Sequence, residues 1–378
     1  MLREDKNRLI VLHWLCDAPS PYNTQLFQAI AETPTFRLQV HYRRLSLCSH
    51  PWQSNLTEGY RWRVFKEPDR FDWGLIRLSM LRRRFLERQT FVVGGWNHPT
   101  ALLLLFLLSL RKANVILWTD TPDMARTRNG LYQLLRMLYL KWVFRRVRYV
   151  MGTGTPALEA LGKIGVSDEK LLNFPYWIDV DRYAPANVDR NHSRAYFAPV
   201  VFLSSGIVKN SRKGHDVAVR AFAEVAKQCS VPFEYRIAGV GPDADALQAL
   251  ANSLGVGDRV TLLGWVEPAD LVIHLHESDV FIHPSSAHEP YGVAILEAMA
   301  AGLPVLASDM TCAGLDRIVP NVNGLVHRAG DSEQLAKQII QLLEVPYQIV
   351  QMRISALQTA SAWPMSRAIK ILKEACER

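Results

Sequence analysis

Hydrophobic residues in this chain fall mostly in short, continuous runs rather than in alternation. In the first half the runs cover residues 9–14, 38–42, 91–94, 115–119 and 149–152; in the second they cover 200–204, 234–238, 260–263, 280–283 and 305–308. An alternating strand has one wet face, whereas an unbroken apolar run of this length suits a parallel strand covered on both faces. Between the runs, apolar residues recur at helical spacing. The chain therefore predicts an α/β protein of right-handed β-α-β units wound into parallel sheets with helices on both sides. The rhythm breaks in the polar, proline-bearing segment YWIDVDRYAPANVDRNHSRAYFAP, residues 176–199. This predicts two Rossmann-like doubly wound domains, 1–180 and 195–360, joined by a linker. A last amphipathic helix is expected in 361–378, with Ile369, Ile371, Leu372 and Ala375 near one side. Ligands of such sheets bind at the carboxyl ends of the strands, so candidate chemistry is sought just after each strand.

Length agrees with this division, since 378 residues exceed one ordinary core and 49% of them are hydrophobic, enough for two. Charge adds an asymmetry. Residues 1–180 hold 26 Lys and Arg against 15 Asp and Glu, while the remainder holds 18 against 21. The excess clusters in RLSMLRRRFLER (77–88) and LRMLYLKWVFRRVR (135–148), where basic residues mix with Leu, Phe, Met and Trp. A solvated helix face is one reading; a second is contact with an anionic membrane surface, where such a helix gains both acyl burial and headgroup attraction. Nucleic acid is not expected as a partner, because no zinc-finger spacing or RNA-binding signature is present. The five cysteines are scattered without a CxxC pair, which suits free thiols in the cytoplasm rather than a disulfide framework or zinc site. The longest apolar run, ALLLLFLL (101–108), is too short to span a bilayer, and the N-terminal apolar run reads as a strand rather than a secretory signal.

The densest candidate chemistry lies in DVFIHPSSAHEPYGVAILEAMAAGLPVLASD, residues 279–309. A strand ends near His283, a helix is expected from about Tyr291 to Ala301, and Gly302 stands where a helix-ending glycine belongs. The helix is apolar almost all round, yet it contains Glu297. A buried carboxylate needs partners: an internal ion pair, or a pair of ligand hydroxyls. Glu289 lies on the loop before it, where an acid could also simply complement the helix dipole. The backbone amides of Tyr291, Gly292, Val293 and Ala294 lack intrahelical acceptors and could hold phosphate.

With these residues in place, the run resembles the E-x7-E signature of retaining glycosyltransferases with the two-Rossmann (GT-B) architecture, glycosyltransferase family 4 (glycosyl transferases group 1) above all. Tyr291 stands where that family usually has Phe. Gly206 followed by Ser211-Arg212-Lys213-Gly214 resembles the family's basic loop, and Gly239-Val240-Gly241-Pro242 its Gly-x-Gly-Pro loop; Phe174 to Asp179 and Trp363 also match. The resemblance covers the second half well and the first half loosely. Two positions depart from it: Ile207 replaces an expected Arg, and Thr119 replaces an expected His.

The resemblance implies a retaining hexosyltransferase that uses a nucleotide-diphosphate sugar, UDP-linked as the first choice and GDP-linked as the second, and a glycan or lipid-linked acceptor in cell-surface polysaccharide or glycolipid synthesis. Glu289 would accept from sugar hydroxyls, Glu297 from the ribose, and Arg212 and Lys213 would hold the diphosphate, with Gly206, Gly239, Gly241, Tyr291, Gly292, Val293 and Ala294 lining the donor site. Tyr22, Trp96, Asn97, His98 and Asp120 follow first-half strands and are the acceptor-side candidates, Asp120 also as a catalytic one; alternatively Asp120 caps a turn and His98 is an ordinary loop residue. The last helix would cross back onto the first domain. No obligate metal or other cofactor is expected, nor any location beyond the cytoplasm and the inner face of its membrane. The rival readings are a nucleotide-sugar 2-epimerase of the same fold and a non-catalytic sugar- or lipid-binding relative.

Overall fold

The computed structural model describes residues 9–44, 59–64, 89–125, 130–185 and 198–377. The basic run 77–88 lies outside these residues, as does most of the polar segment after Pro185. The chain forms two compact units, Met1–Ile178 with Met365–Arg378, and Asp179–Pro364.

The first unit is built on a seven-stranded sheet. Its strands are β1 (Ile10–Cys16), β2 (Phe36–Tyr42), β3 (Arg61–Val64), β4 (Gln89–Gly94), β5 (Asn114–Thr119), β6 (Tyr149–Gly152) and β7 (Leu171–Asn173), in the order β3-β2-β1-β4-β5-β6-β7. Every pairing is parallel. The unbroken apolar runs are the central strands, buried on both faces as parallel strands must be: Leu12, Trp14, Val92, Ile116 and Leu117 have at most 1% of their surface exposed. The last helix, Met365–Glu377, buries Ala368, Leu372 and Ala375 within this unit, and Arg148 Nη1 donates to the carbonyl of Cys376 at 3.2 Å.

The second unit carries six strands, β8 (Val200–Ser205), β9 (Phe233–Ala238), β10 (Val260–Gly264), β11 (Val280–His283), β12 (Val305–Ser308) and β13 (Gly324–His327), in the order β10-β9-β8-β11-β12-β13, again all parallel. Phe202, Tyr235 and Ile237 of the sheet pack with Phe222 of the helix His215–Gln228 and with Leu335, Ile339 and Leu342 of Ser332–Glu344. The expected helix after β11 is shorter than its apolar pattern: it runs Ala294–Ala300, because Gly292 sits at φ +102° and the backbone turns before helical bonding begins.

Three strands were not expected: β3, β7 and β13. All three are sheet edges, and β3 is largely exposed with only Val64 half-buried. The polar-looking segment around Asp179 is also more ordered than expected. Trp177, Ile178 and Tyr183 are buried, and Val180–Tyr183 forms a single helical turn.

Candidate active site

In each sheet the strand order reverses beside the first strand, between β1 and β4 and between β8 and β11. Loops at the carboxyl ends of these strands diverge and leave room for a ligand.

At the reversal in the second unit, the loop after β8 meets the loop after β11. Gly214 sits at φ +65°, and a Cβ there would stand 2.0 Å from the carbonyl oxygen of Pro284. Only glycine permits this approach. Ser286 N then donates to the carbonyl of Arg212 at 3.0 Å, and the turn Asn210–Lys213 presents its two cations to Glu289. Lys213 Nζ lies 2.9 Å from Glu289 Oε2, and Arg212 Nη2 lies 3.8 Å from Oε1. Glu289 is itself pinned, its N–H donating to the carbonyl of Met310 and its own carbonyl accepting from Cys312. Burial pushes the Glu289 carboxyl upward, but the charge and hydrogen bond of Lys213, with the charge of Arg212, outweigh it, and the group stays below the usual carboxylate range.

His283, the last residue of β11, was not anticipated. It is 3% exposed, Nε2 has no hydrogen-bond partner among the described residues, and burial first, then Lys213, pushes its pKa down to about 3, so the ring is neutral at physiological pH. The signal was present in the sequence as a polar residue closing an otherwise apolar strand.

Glu297 lies in the first turn of its helix. Instead of an internal ion pair, the structure gives it a hydroxyl: Tyr183 Oη donates to Glu297 Oε1 at 3.0 Å. Burial raises its pKa, against the Tyr183 bond and the charge of Arg182. The amides of Gly292, Val293 and Ala294 find no acceptor among the described residues. The Tyr291 side chain turns inward, 2% exposed, where its hydroxyl accepts from Arg317 at 3.2 Å; the Arg317 guanidinium stacks 3.5 Å over the Trp363 ring.

The glycines of the Gly-Val-Gly-Pro loop have a structural explanation. A Cβ at Gly239 would stand 1.8 Å from the carbonyl oxygen of Gly206, and one at Gly241 2.2 Å from that of Val208. The two loops are zipped by Val208 N to Val240 O at 2.9 Å and by Asn210 N to Asp243 Oδ2 at 2.7 Å. Ile207 is half-buried beside Gly206 and supplies no charge there.

In the first unit the expected residues divide. Tyr22, Tyr176 and Asp120 come together: the Tyr176 hydroxyl donates to Asp120 Oδ1 at 2.7 Å, and the Tyr22 and Tyr176 rings meet edge-on at 4.8 Å. Trp96 is instead a core residue, 5% exposed and packed against Phe144, because an indole of that size beside the sheet gains more from burial than from solvent. His98 caps the helix Pro99–Leu110, its Nδ1 accepting from Thr100 N at 3.2 Å. Asn97 accepts from Arg136 at 3.3 Å. Among the described residues no group of three His, Cys, Asp or Glu is placed to hold a metal ion, and no helix is long and apolar enough to cross a membrane.

This geometry can be set beside known proteins. Residues 189–357 match the family described as Glycosyl transferases group 1. A GDP-mannose-dependent monoacylated alpha-(1-6)-phosphatidylinositol monomannoside mannosyltransferase of Corynebacterium glutamicum is 30% identical over 186 residues, covering 46% of this chain and 47% of its own. A putative colanic acid biosynthesis glycosyltransferase, WcaL of Escherichia coli K12, is 29% identical over 185 residues, covering 47% of this chain and 43% of its own. The matched regions thus span about half the length of these curated relatives. Among solved structures, Anabaena Alr3699/HepE in complex with UDP superposes with a TM-score of 0.76 at 19% identity, covering 97% of this chain and 98% of that one. Residues 189–357 thus carry a Glycosyl transferases group 1 domain, in a chain whose two parallel-sheet Rossmann-like units have the GT-B fold.

Proposed function

We propose that this protein transfers a hexose from a nucleotide-diphosphate sugar to a glycan or lipid-linked acceptor, with retention at the anomeric carbon. The observation that carries the reading is the Lys213–Glu289 pair at the strand-order reversal of the second sheet. A cation held in place by a carboxylate is ready to exchange that partner for a diphosphate, and Arg212, half-exposed beside it, adds the second charge. As the sugar–oxygen bond breaks, negative charge grows on the leaving phosphate, and fixed cations stabilise that charge more than they stabilise the intact donor. Glu289, ionised at neutral pH, accepts from sugar hydroxyls, and Glu297 accepts from the ribose hydroxyls in place of the Tyr183 hydroxyl. The leaving phosphate takes the acceptor proton as the acceptor attacks from the same face. Asp120, anchored by Tyr176, belongs to the acceptor side.

The mannosyltransferase relative is GDP-mannose-dependent, and the Anabaena structure holds UDP. UDP- and GDP-linked hexoses are therefore the donors to compare, by thermal shift and by donor hydrolysis without acceptor. Hydrolysis with retention, read by proton NMR of the released sugar, supports the proposal; binding of donor without any turnover favours a non-catalytic relative. An anionic membrane surface is the proposed setting of the acceptor. The helix Gly130–Arg146 carries no acid, ends in Arg145 and Arg146, and exposes Leu131, Leu134, Leu135 and Leu138. Sedimentation with acidic and with neutral vesicles tests this; equal binding to both, or none, removes the membrane from the proposal.

A further inference from the structure

The first sheet has its own strand-order reversal, and the charges gathered there are not those expected from sequence. Asp17 follows β1, Arg43 and Arg44 follow β2, and His98 follows β4, so these residues cluster at the carboxyl ends of three adjacent strands. The backbone holds the arrangement: Arg43 N donates to the carbonyl of Cys16 and Arg44 N to that of Asp17, both at 3.0 Å. Both guanidiniums then converge on one carboxylate. Arg43 Nε and Nη2 bond Asp17 Oδ1, while Arg44 Nη2 and Nε reach Oδ2 at 2.7 and 3.2 Å. Two positive charges share one negative charge, and the carboxylate is accessible, with 47% of its side chain exposed against 31% and 27% for the two arginines.

We propose that Arg43 and Arg44 form a phosphate-binding subsite for the acceptor, with the Asp17 carboxylate standing in for the phosphate until the acceptor arrives. The proposal rests on the glycosyltransferase reading for the word acceptor, and on the first unit alone for the site. Two planar guanidinium forks present paired donors that match the oxygens of a phosphate, and a dianion gains more from them than a carboxylate does. A third guanidinium lies on the same edge, since Arg136 donates to Asn97, the neighbour of His98. The ligand class is a phosphate monoester or diphosphate, and its source is either a soluble sugar phosphate or the phosphate of a lipid carrier.

Calorimetric binding of glucose 1-phosphate and of geranyl phosphate to the full chain at low salt tests this, with Asp17→Asn and Arg43→Gln/Arg44→Gln variants beside the wild type. At least one probe should bind the wild type. The double arginine variant should bind it at least about tenfold more weakly, the loss expected of charge-assisted contacts. Asp17→Asn should bind it several-fold more tightly, a direction that damage to the fold cannot produce. Preference for geranyl phosphate points to a lipid carrier, and preference for glucose 1-phosphate to a soluble acceptor; either supports the subsite. Absence of binding by the wild type, or unchanged or weaker binding by Asp17→Asn, overturns it. UDP and GDP titrated in parallel report the donor reading separately: their loss in Lys213→Gln with phosphate binding intact keeps the two sites apart, and their failure to bind the wild type would sink the donor reading without touching the subsite.

Discussion

The hydroxyl of Tyr183 donates to the carboxylate of Glu297 at 3.0 Å, joining residues 114 positions apart in the chain. The bond gives a partner to an acid set in an apolar helix, and it comes from a segment whose sequence reads as linker. Tyr183→Phe should therefore cost about 1 kcal/mol, the usual net value of a hydrogen bond to a partly buried group. In a unit of this size that lowers the melting temperature by roughly 2–4 °C. If donor ribose replaces Tyr183, a saturating donor nucleotide should close part of that gap, and scanning fluorimetry with and without UDP and GDP reads both quantities. An unchanged melting temperature in the free variant would show the bond to be idle.

Lys213 and Glu289 make a second pair whose members should fail differently. Lys213→Gln removes a cation from the proposed diphosphate site, and donor affinity should fall by about 10- to 100-fold, the range for a charged hydrogen bond. Glu289→Gln leaves the cation in place and frees it from its carboxylate. Nucleotide diphosphate alone should then bind as well as before or better, while turnover of the intact donor sugar is lost. Equal damage to nucleotide binding in both variants would contradict the division of roles.

Glycines separate crowding from backbone strain. Gly239→Ala places a Cβ 1.8 Å from the carbonyl oxygen of Gly206, so the two loops must part, at about 3 kcal/mol. Gly255→Ala meets nothing within 4 Å and pays only for a φ of +74°, about 1–2 kcal/mol. Urea midpoints should rank Gly239→Ala well below Gly255→Ala; the reverse order would mean that the close approach of the two loops does not hold in solution.

Acid should unfold the protein through its buried imidazoles. His41, His215 and His283 are each at most 4% exposed, and burial pushes the pKa of each down to about 3. Unfolding frees them to titrate near 6.5, so between about pH 6.5 and 3 the unfolded chain binds more protons. Their contribution is complete above pH 6.5 and is lost as pH falls. Glu289, whose pKa is lowered, acts in the same direction at lower pH. The melting temperature should hold steady around pH 7–8 and decline steadily below 6.5, and His283→Leu should flatten that decline. A flat profile from pH 7 to 4 would contradict the burial of these rings.

The sequence by itself determined the central strands, because a parallel strand covered on both faces is written mostly in apolar residues, as 115–118 and 280–282 are throughout. It also determined the run from Glu289 to Pro304, where spacing, glycine and proline each constrain the backbone locally. Edges were harder to read. The strand Arg61–Val64 buries little, so no apolar signal was required of it. What tertiary structure alone decided was partnership. Trp96 and His98 stand two residues apart after one strand, yet packing took the indole into the core and helix capping took the imidazole. Glu297 was legible as an acid in need of a partner, and Arg43 and Arg44 only as two more charges in a basic half. That the first meets Tyr183 and the others meet Asp17 follows from strand order, which brings distant loops together at one end of a sheet and leaves no trace in local spacing.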